Sequence, residues 1–452
     1  MNQTRRKFLQ QTGCGVSAAA LLSSFDSLAQ VNELAAAASV AGDYRALVCI
    51  FLFGGNDGNS TVIPYTNYAA YNAVRGTSSG INIPQANLLR ISAPSQGADF
   101  GLHPNLPELQ TLYNQGKLAV MSNVGTLVRP VTRTEYLSGA PKPENLFSHS
   151  DQQTQWQAAS TSSVSATPTG WGGRTADQTA GLNGTNPFPM LVSTAGVTLF
   201  TTGANARPLV PGASLAGFPN PPTSSQRYNS LRAILGMDNN TTLVSANNTL
   251  MNAAIDNTTK LNSALTGVTL TTAFPNTSLA NQLKQIAQII KARAGLGLQR
   301  QIFFASLGGF DTHSNQLGTQ VTLLTQVSQA MKAFYDATVE MGVASNVTTF
   351  TLSDFGRTFQ PAAGAGSDHA WGNHQFVMGD AVRGGNFYGK FPTLQLKGAD
   401  DASSEGRWIP TTSVDQYGAT LALWYGLPTS ALSAVFPNIR NFTVSDLGFL
   451  RA

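Results

Sequence analysis

"RQIFFASLGGFDTHSNQ", Arg300 to Gln316, is the stretch whose reading decides the fold. An apolar run too short for a helix breaks on two glycines and then presents Asp311 and His313. Such a run, without polar alternation, predicts a strand buried on both faces, as in a parallel sheet covered by helices. On its upstream side, "SLANQLKQIAQIIKARAGLG" spaces Leu279, Leu283, Ile286, Ile289 and Ile290 along one helical face and closes on glycine. Downstream, "SNQLGTQVTLLTQVSQAMKAFYDATVEMG" is a longer amphipathic helix, and "NVTTFTLSDFGRT" is another strand. "YRALVCIFLFGGNDGNSTVIPY" and "KLAVMSNVG" add earlier strands of the same kind. Alternating helices and strands with short connections predict βαβ units, hence an α/β fold with a doubly wound, mainly parallel sheet and helices on both faces. Residues 161–277, rich in Ser, Thr, Asn, Pro and Gly, read as a loop-rich insertion into this single domain of residues 31–452.

The first thirty residues read differently. "TRRKFLQ", the mild apolar segment "GCGVSAAALLSSF" and the small residues of "SLAQ" predict a twin-arginine signal peptide over 1–30. That expectation makes the export machinery a partner and the periplasm or exterior the destination. The segment is too short to remain as a membrane span. It holds Arg5, Arg6, Lys7 and Asp26, so the formal charge of +4 falls to +2 for the remainder. With charged residues at 11%, against about 25% in typical domains, and no dense basic cluster, nucleic acid is excluded as a partner. Cys14 lies in the leader and Cys49 inside an apolar strand, so no internal disulfide is expected.

In a parallel α/β sheet the ligand-bearing strand ends lie on the carboxyl edge. Three predicted strands finish near an acid: Asp57, Asp311 and Asp354. Brought together, three carboxylates repel unless protonated or bridged by a cation. Three of the five histidines, His313, His369 and His374, fall inside or just after these strand ends. Imidazole with carboxylate and no thiolate suits zinc, manganese or iron, and calcium where oxygen ligands dominate. Singly, each aspartate reads equally as a turn residue or an N-cap, and Asp354 as a partner of Arg357.

The leader, "LFGGNDGNSTVIPY", "SHSDQQTQWQ", "GWGGRTAD", "GGFDTHSNQ", "LSDFGRTFQ", "GSDHAWGNHQFVMGD" and "DQYGATLALWYG" together resemble the DUF1501 family of exported bacterial proteins. That family is in turn distantly similar to the alkaline phosphatase and sulfatase superfamily. The resemblance implies an alkaline phosphatase-like fold carrying a divalent metal ion, zinc first, with manganese or calcium as alternatives. It implies Asp57, Asp311, His313, Asp354 and His369 or His374 as ligands. Phe355 stands where the superfamily has a histidine after the later aspartate.

An anionic ester substrate, a phosphate or a sulfate, would also need a nucleophile and a cation. Ser148, opening a helix-like segment, is the candidate nucleophile, equally readable as an N-cap; His149 is a candidate acid or metal-fixing group. Arg357 and Arg174 are candidate anion clamps, and Trp171, Trp371 and Trp408 a candidate carbohydrate-stacking rim. The expected function is an exported metal-dependent hydrolase of phosphate or sulfate esters. The alternative is a non-catalytic envelope binding or assembly protein that keeps the fold.

Overall fold

The computed structural model describes residues 44–76, 80–162, 168–212, 226–237 and 241–451, so the leader expectation over 1–30 lies outside the described residues. The main sheet contains β1 (Arg45–Leu52), β2 (Leu118–Gly125), β3 (Leu191–Ser193), β4 (Arg300–Leu307), β5 (Val347–Ser353), β6 (Asn373–Met378), β7 (Phe387–Tyr388) and β8 (Thr412–Ser413). Their order is β7-β2-β6-β5-β1-β4-β3, with β8 paired to β2. The strand pairs are parallel except those of β6, which runs antiparallel to both β2 and β5. A small antiparallel sheet, Val62–Pro64, Leu89–Ala93 and Ala98–Leu102, flanks it.

Strand alternation sorts side chains into two cores. Ala46, Val48, Ile50 and Leu52 face one core with α1 (Pro107–Asn114), α5 (Ser278–Lys291) and α6 (Gln316–Glu340). Leu47, Cys49 and Phe51 face the other with α2 (His149–Ala158), α3 (Trp171–Thr179) and α7 (Val414–Tyr425). Helices therefore cover both faces, as the sequence predicts. Cys49 is buried and free. Among the described residues, no helix is long and apolar enough to cross a membrane.

The described part of residues 161–277 carries regular structure as well as loops. It supplies α3, the edge strand β3 and α4 (Thr242–Leu265). β3 is only three residues long, and α4 is rich in Thr and Asn, so neither carries a strong periodic signal.

At the start of α7 Asp415 is almost wholly buried, accepting from Asn438 N at 3.0 Å and from Ser413 Oγ at 3.0 Å. Burial pushes its carboxyl up to about 7, the hydrogen bonds only partly opposing this. A raised acid keeps its proton in the folded state where the unfolded chain has lost it. Stability from this group therefore falls as pH rises from about 4 to 7. The D415N variant is expected to flatten the pH profile of the melting temperature across that window, which thermal unfolding in a buffer series would measure.

Candidate metal centre

The carboxyl edge is built on close backbone packing. β1 leads into Gly54 and Gly55, with φ of 112° and 79°. A Cβ at Gly54 would lie 2.4 Å from Asp311 N, and one at Gly55 would lie 2.5 Å from the Phe355 ring. Only glycine allows both approaches. Arg357, fully buried, locks the crossing: Nε donates to the carbonyls of Gly55 (2.9 Å) and Phe310 (3.1 Å), Nη2 to Gly54 O (2.8 Å) and to Asp311 Oδ1, and Nη1 to Ser367 O. This guanidinium is committed to four backbone carbonyls and the Asp311 carboxylate, which corrects its expected role as a substrate clamp. Arg174 is similarly spent on the carbonyls of Val435, Thr169 and Ala158.

Three imidazoles converge on Asp311. Nε2 lies from Asp311 Oδ1 at 3.0 Å for His313, 3.3 Å for His369 and 3.4 Å for His149. His313 Nε2 and His369 Nε2 are 2.9 Å apart. The other ring nitrogens all meet acceptors: His149 Nδ1 is 2.7 Å from Asp354 Oδ2, His313 Nδ1 is 3.0 Å from Asp368 Oδ1, and His369 Nδ1 is 2.7 Å from Phe147 O. A carbonyl or ionised carboxylate can only accept, so each Nδ1 carries the hydrogen. In the neutral rings every Nε2 lone pair is then directed at the same place. Burial pushes the His369 imidazole below its ordinary value, the Phe147 carbonyl partly opposing, which favours the neutral ring. His149 Nε2 is buried and makes no hydrogen bond.

Two lone pairs at 2.9 Å repel unless a proton or a cation lies between them. The donors of His149, Asp311 and His369 lie within 4.8 Å of one another, close enough to hold one metal ion, with His313 beside them. Phe355, standing where a histidine was expected, forms an aromatic floor: its ring centroid is 4.8 Å from His149 and 4.6 Å from His369. Asp311 and His313 are 46% exposed, so the cluster opens to solvent.

Other expected ligands lie elsewhere. Asp57 is buried and caps the turn Gly58–Thr61, and both its oxygens are taken. Oδ2 accepts from Arg75 Nη1 (2.5 Å), Ser60 Oγ (2.7 Å) and Gln316 Nε2 (2.6 Å), and Oδ1 from Arg75 Nη2 and Asn59 N (both 3.1 Å). Burial opposes its ionisation, but the Arg75 charge and hydrogen bonds outweigh that and hold it below the usual range. Asp354 stands behind His149, its Oδ2 also accepting from Gln153 Nε2 (2.8 Å) and its Oδ1 from Gly54 N (3.1 Å). His374 enters β6 instead of the edge loop. Its Nδ1 accepts from Asn123 N at 3.1 Å, its ring stacks on Phe391, and burial lowers its pKa to about 3.

The carboxylate premise of the sequence reading is thereby corrected. Asp57 and Asp311 each have an arginine, and the geometry favouring a cation comes from the imidazoles. Ser148 precedes α2 and points its Oγ at Asp151 Oδ2 (2.5 Å). Trp171, Trp371 and Trp408 are buried, so they form no stacking rim. His149, expected as an acid or metal-fixing group, joins the cluster, whereas Asp368 and Gln153 were not singled out. "SHSDQQ" did carry the signal, since His149 and Gln153 are four apart on one helical face.

A family described as "Protein of unknown function (DUF1501)" matches residues 44–406. The chain belongs to the DUF1501 family. No curated protein matches this DUF1501 chain. Solved structures similar to it include the PsFucS1 sulfatase from Pseudoalteromonas sp., at 10% identity over 93% of this chain and 76% of that one, TM-score 0.35. The C-terminal periplasmic domain of EcEptC from Escherichia coli, in complex with Zn, gives 11%, 85%, 82% and 0.32. The lipoteichoic acid synthase LtaP from Listeria monocytogenes gives 9%, 82%, 75% and 0.30.

An ion at this centre would rest on rings that the groups behind them hold in place. Replacing Asp354 by asparagine (D354N) frees His149 from its fixed tautomer and is expected to weaken zinc affinity about 10- to 100-fold. Competition with a chromophoric chelator would measure it.

Proposed function

We propose that this DUF1501 protein is an exported, metal-dependent hydrolase of phosphate or sulfate esters, using one divalent ion, zinc first, held by His149, His369 and Asp311, with His313 beside them. The observation that carries this reading is the convergence of three Nε2 atoms on Asp311 Oδ1, with every Nδ1 tied to an acceptor. Imidazoles with one carboxylate suit zinc, and manganese or iron less well; the scarcity of oxygen donors disfavours calcium. A divalent ion bound there supplies Lewis-acid polarisation of an ester oxygen. Arg357 already neutralises Asp311, so these two groups bring no net charge and the centre stays attractive to an anion. The Phe355 floor limits water beneath the rings, and Ser148, next to His149 and bonded to Asp151, is the candidate nucleophile on this chain.

Purified protein should contain close to one zinc per chain by elemental analysis. It should cleave members of a panel of aryl phosphates, phosphodiesters and aryl sulfates, lose that activity to a chelator, and regain it with zinc. Folded protein that takes up no metal and cleaves nothing ends this reading. The ion pairs Asp57–Arg75 and Asp311–Arg357 favour a second reading, a non-catalytic envelope protein whose strand-end carboxylates are satisfied without any ion. Folded protein that turns over nothing on the panel, with or without one bound metal, would select it.

A further inference from the structure

A groove separate from the metal centre runs where the segments 127–134, 409–411 and 439–445 meet. Asn441 Nδ2 donates to Val128 O at 2.8 Å and Gln416 Nε2 to Val444 O at 2.7 Å, so its walls are tied together. Three cavities of about 430, 320 and 340 Å³ lie along it. The first and second share Val131, Pro410 and Thr411 in their walls, and the second and third share Phe442 and Thr443, which makes them continuous. Such a row of hollows suits an extended ligand rather than a compact one.

Charge and hydroxyls identify the occupant. Arg133 and Lys397 line one end of the groove and Arg440 the other. Among the described residues no carboxylate pairs with any of the three: Arg133 donates to the carbonyls of Asp401 (2.8 Å) and Ser403 (3.2 Å), and Arg440 to Ser433 Oγ (3.1 Å). Asp400, the single acid among the described lining residues, already accepts from the Thr393 amide and hydroxyl. Cations at both ends attract an extended anion. Between them Thr411 and Thr443, and at the Arg440 end Thr429, Ser430 and Ser433, bring hydroxyls that both donate and accept. Pro130, Pro410 and Phe442 supply apolar faces on which the C–H side of a sugar ring packs. A nucleic acid would call for several stacking aromatics, and Phe442 is the only one among the described lining residues. An acidic peptide seeks main-chain partners, and the two prolines remove amides from the middle. We propose that this groove binds a linear anionic glycan, its acidic groups held by Arg133 and Lys397 at one end and Arg440 at the other, its rings lying over Pro410 and Phe442.

Calorimetric titration in the presence of a chelator tests this whether or not an ion binds at His369. The probes are oligosaccharides of dextran sulfate, which carry sulfate esters, and of polygalacturonate, which carry carboxylates. At least one is expected to bind in the micromolar range, more tightly as a hexamer than as a dimer, with neutral dextran weaker by about tenfold or more. K397E/R440E should weaken that binding by about tenfold or more. T411W, which fills the passage shared by two cavities, should remove the advantage of the hexamer over the dimer. All three positions are exposed, so both variants should keep the wild-type circular dichroism spectrum. Failure of both charged probes to bind, equally tight binding of single-stranded DNA of the same length, or an affinity indifferent to K397E/R440E overturns the proposal.

Discussion

Substituting His369 by alanine (H369A) is expected to remove nearly all bound zinc and, with it, ester hydrolysis. The ring does three things at once. Its Nε2 lies 2.9 Å from that of His313 and 3.3 Å from Asp311 Oδ1, its Nδ1 ties the cluster to the Phe147 carbonyl, and its face packs on Phe355. Losing a direct ligand costs more than losing a group behind one, so affinity should fall by more than about 100-fold. Its side chain is 22% exposed, so the fold should tolerate the change. Calorimetric zinc titration of H369A and wild type would measure this. Zinc binding that persists at wild-type affinity would mean that the imidazoles gather for structural reasons and that the ion sits elsewhere or nowhere.

The second large effect is on stability. Arg75 and Asp57 form an ion pair with no solvent exposure, and Arg75 also donates to the carbonyls of Phe359 (3.1 Å) and Thr358 (2.9 Å). Removing the arginine leaves a buried carboxylate facing two orphaned carbonyls. R75M is expected to cost about 3–5 kcal/mol, the range found when one partner of a buried pair is lost. The double variant D57N/R75M should be less damaged than R75M alone, because the uncompensated charge is gone. Urea unfolding of the wild type, both single variants and the double variant gives the coupling. Purely additive effects would show that the pair contributes nothing as a pair.

The parts of this protein legible in its sequence are those with local signatures. Continuous apolar runs revealed β1, β2, β4 and β5, and periodicity with closing glycines revealed α5 and α6. Asp311, His313 and His369 follow or flank such elements, and the structure brings them together. Tertiary pairing was not legible. Arg75 reaches Asp57 from a short helix 18 residues on, and no spacing rule announces that a strand-end aspartate is already neutralised. β6 is a six-residue strand beside a loop of Gly, His and Trp, so His374 read as an edge residue when it lies within the sheet. Asp354 was placed at the right edge but given a direct role, because sequence cannot distinguish a ligand from the group that orients one.

The position of β1 at the centre of the sheet has a consequence for how the chain is made. Ile50 pairs with Ala305 on one side and Thr351 on the other, so both neighbours of this apolar strand are synthesised some 250 to 300 residues after it. Until then the nascent polypeptide carries "ALVCIFLF" without its final partners, an aggregation hazard that early local contacts do not relieve. Commitment to the native topology thus comes late in translation, and a product truncated before Val347 would leave one side of its most apolar segment open.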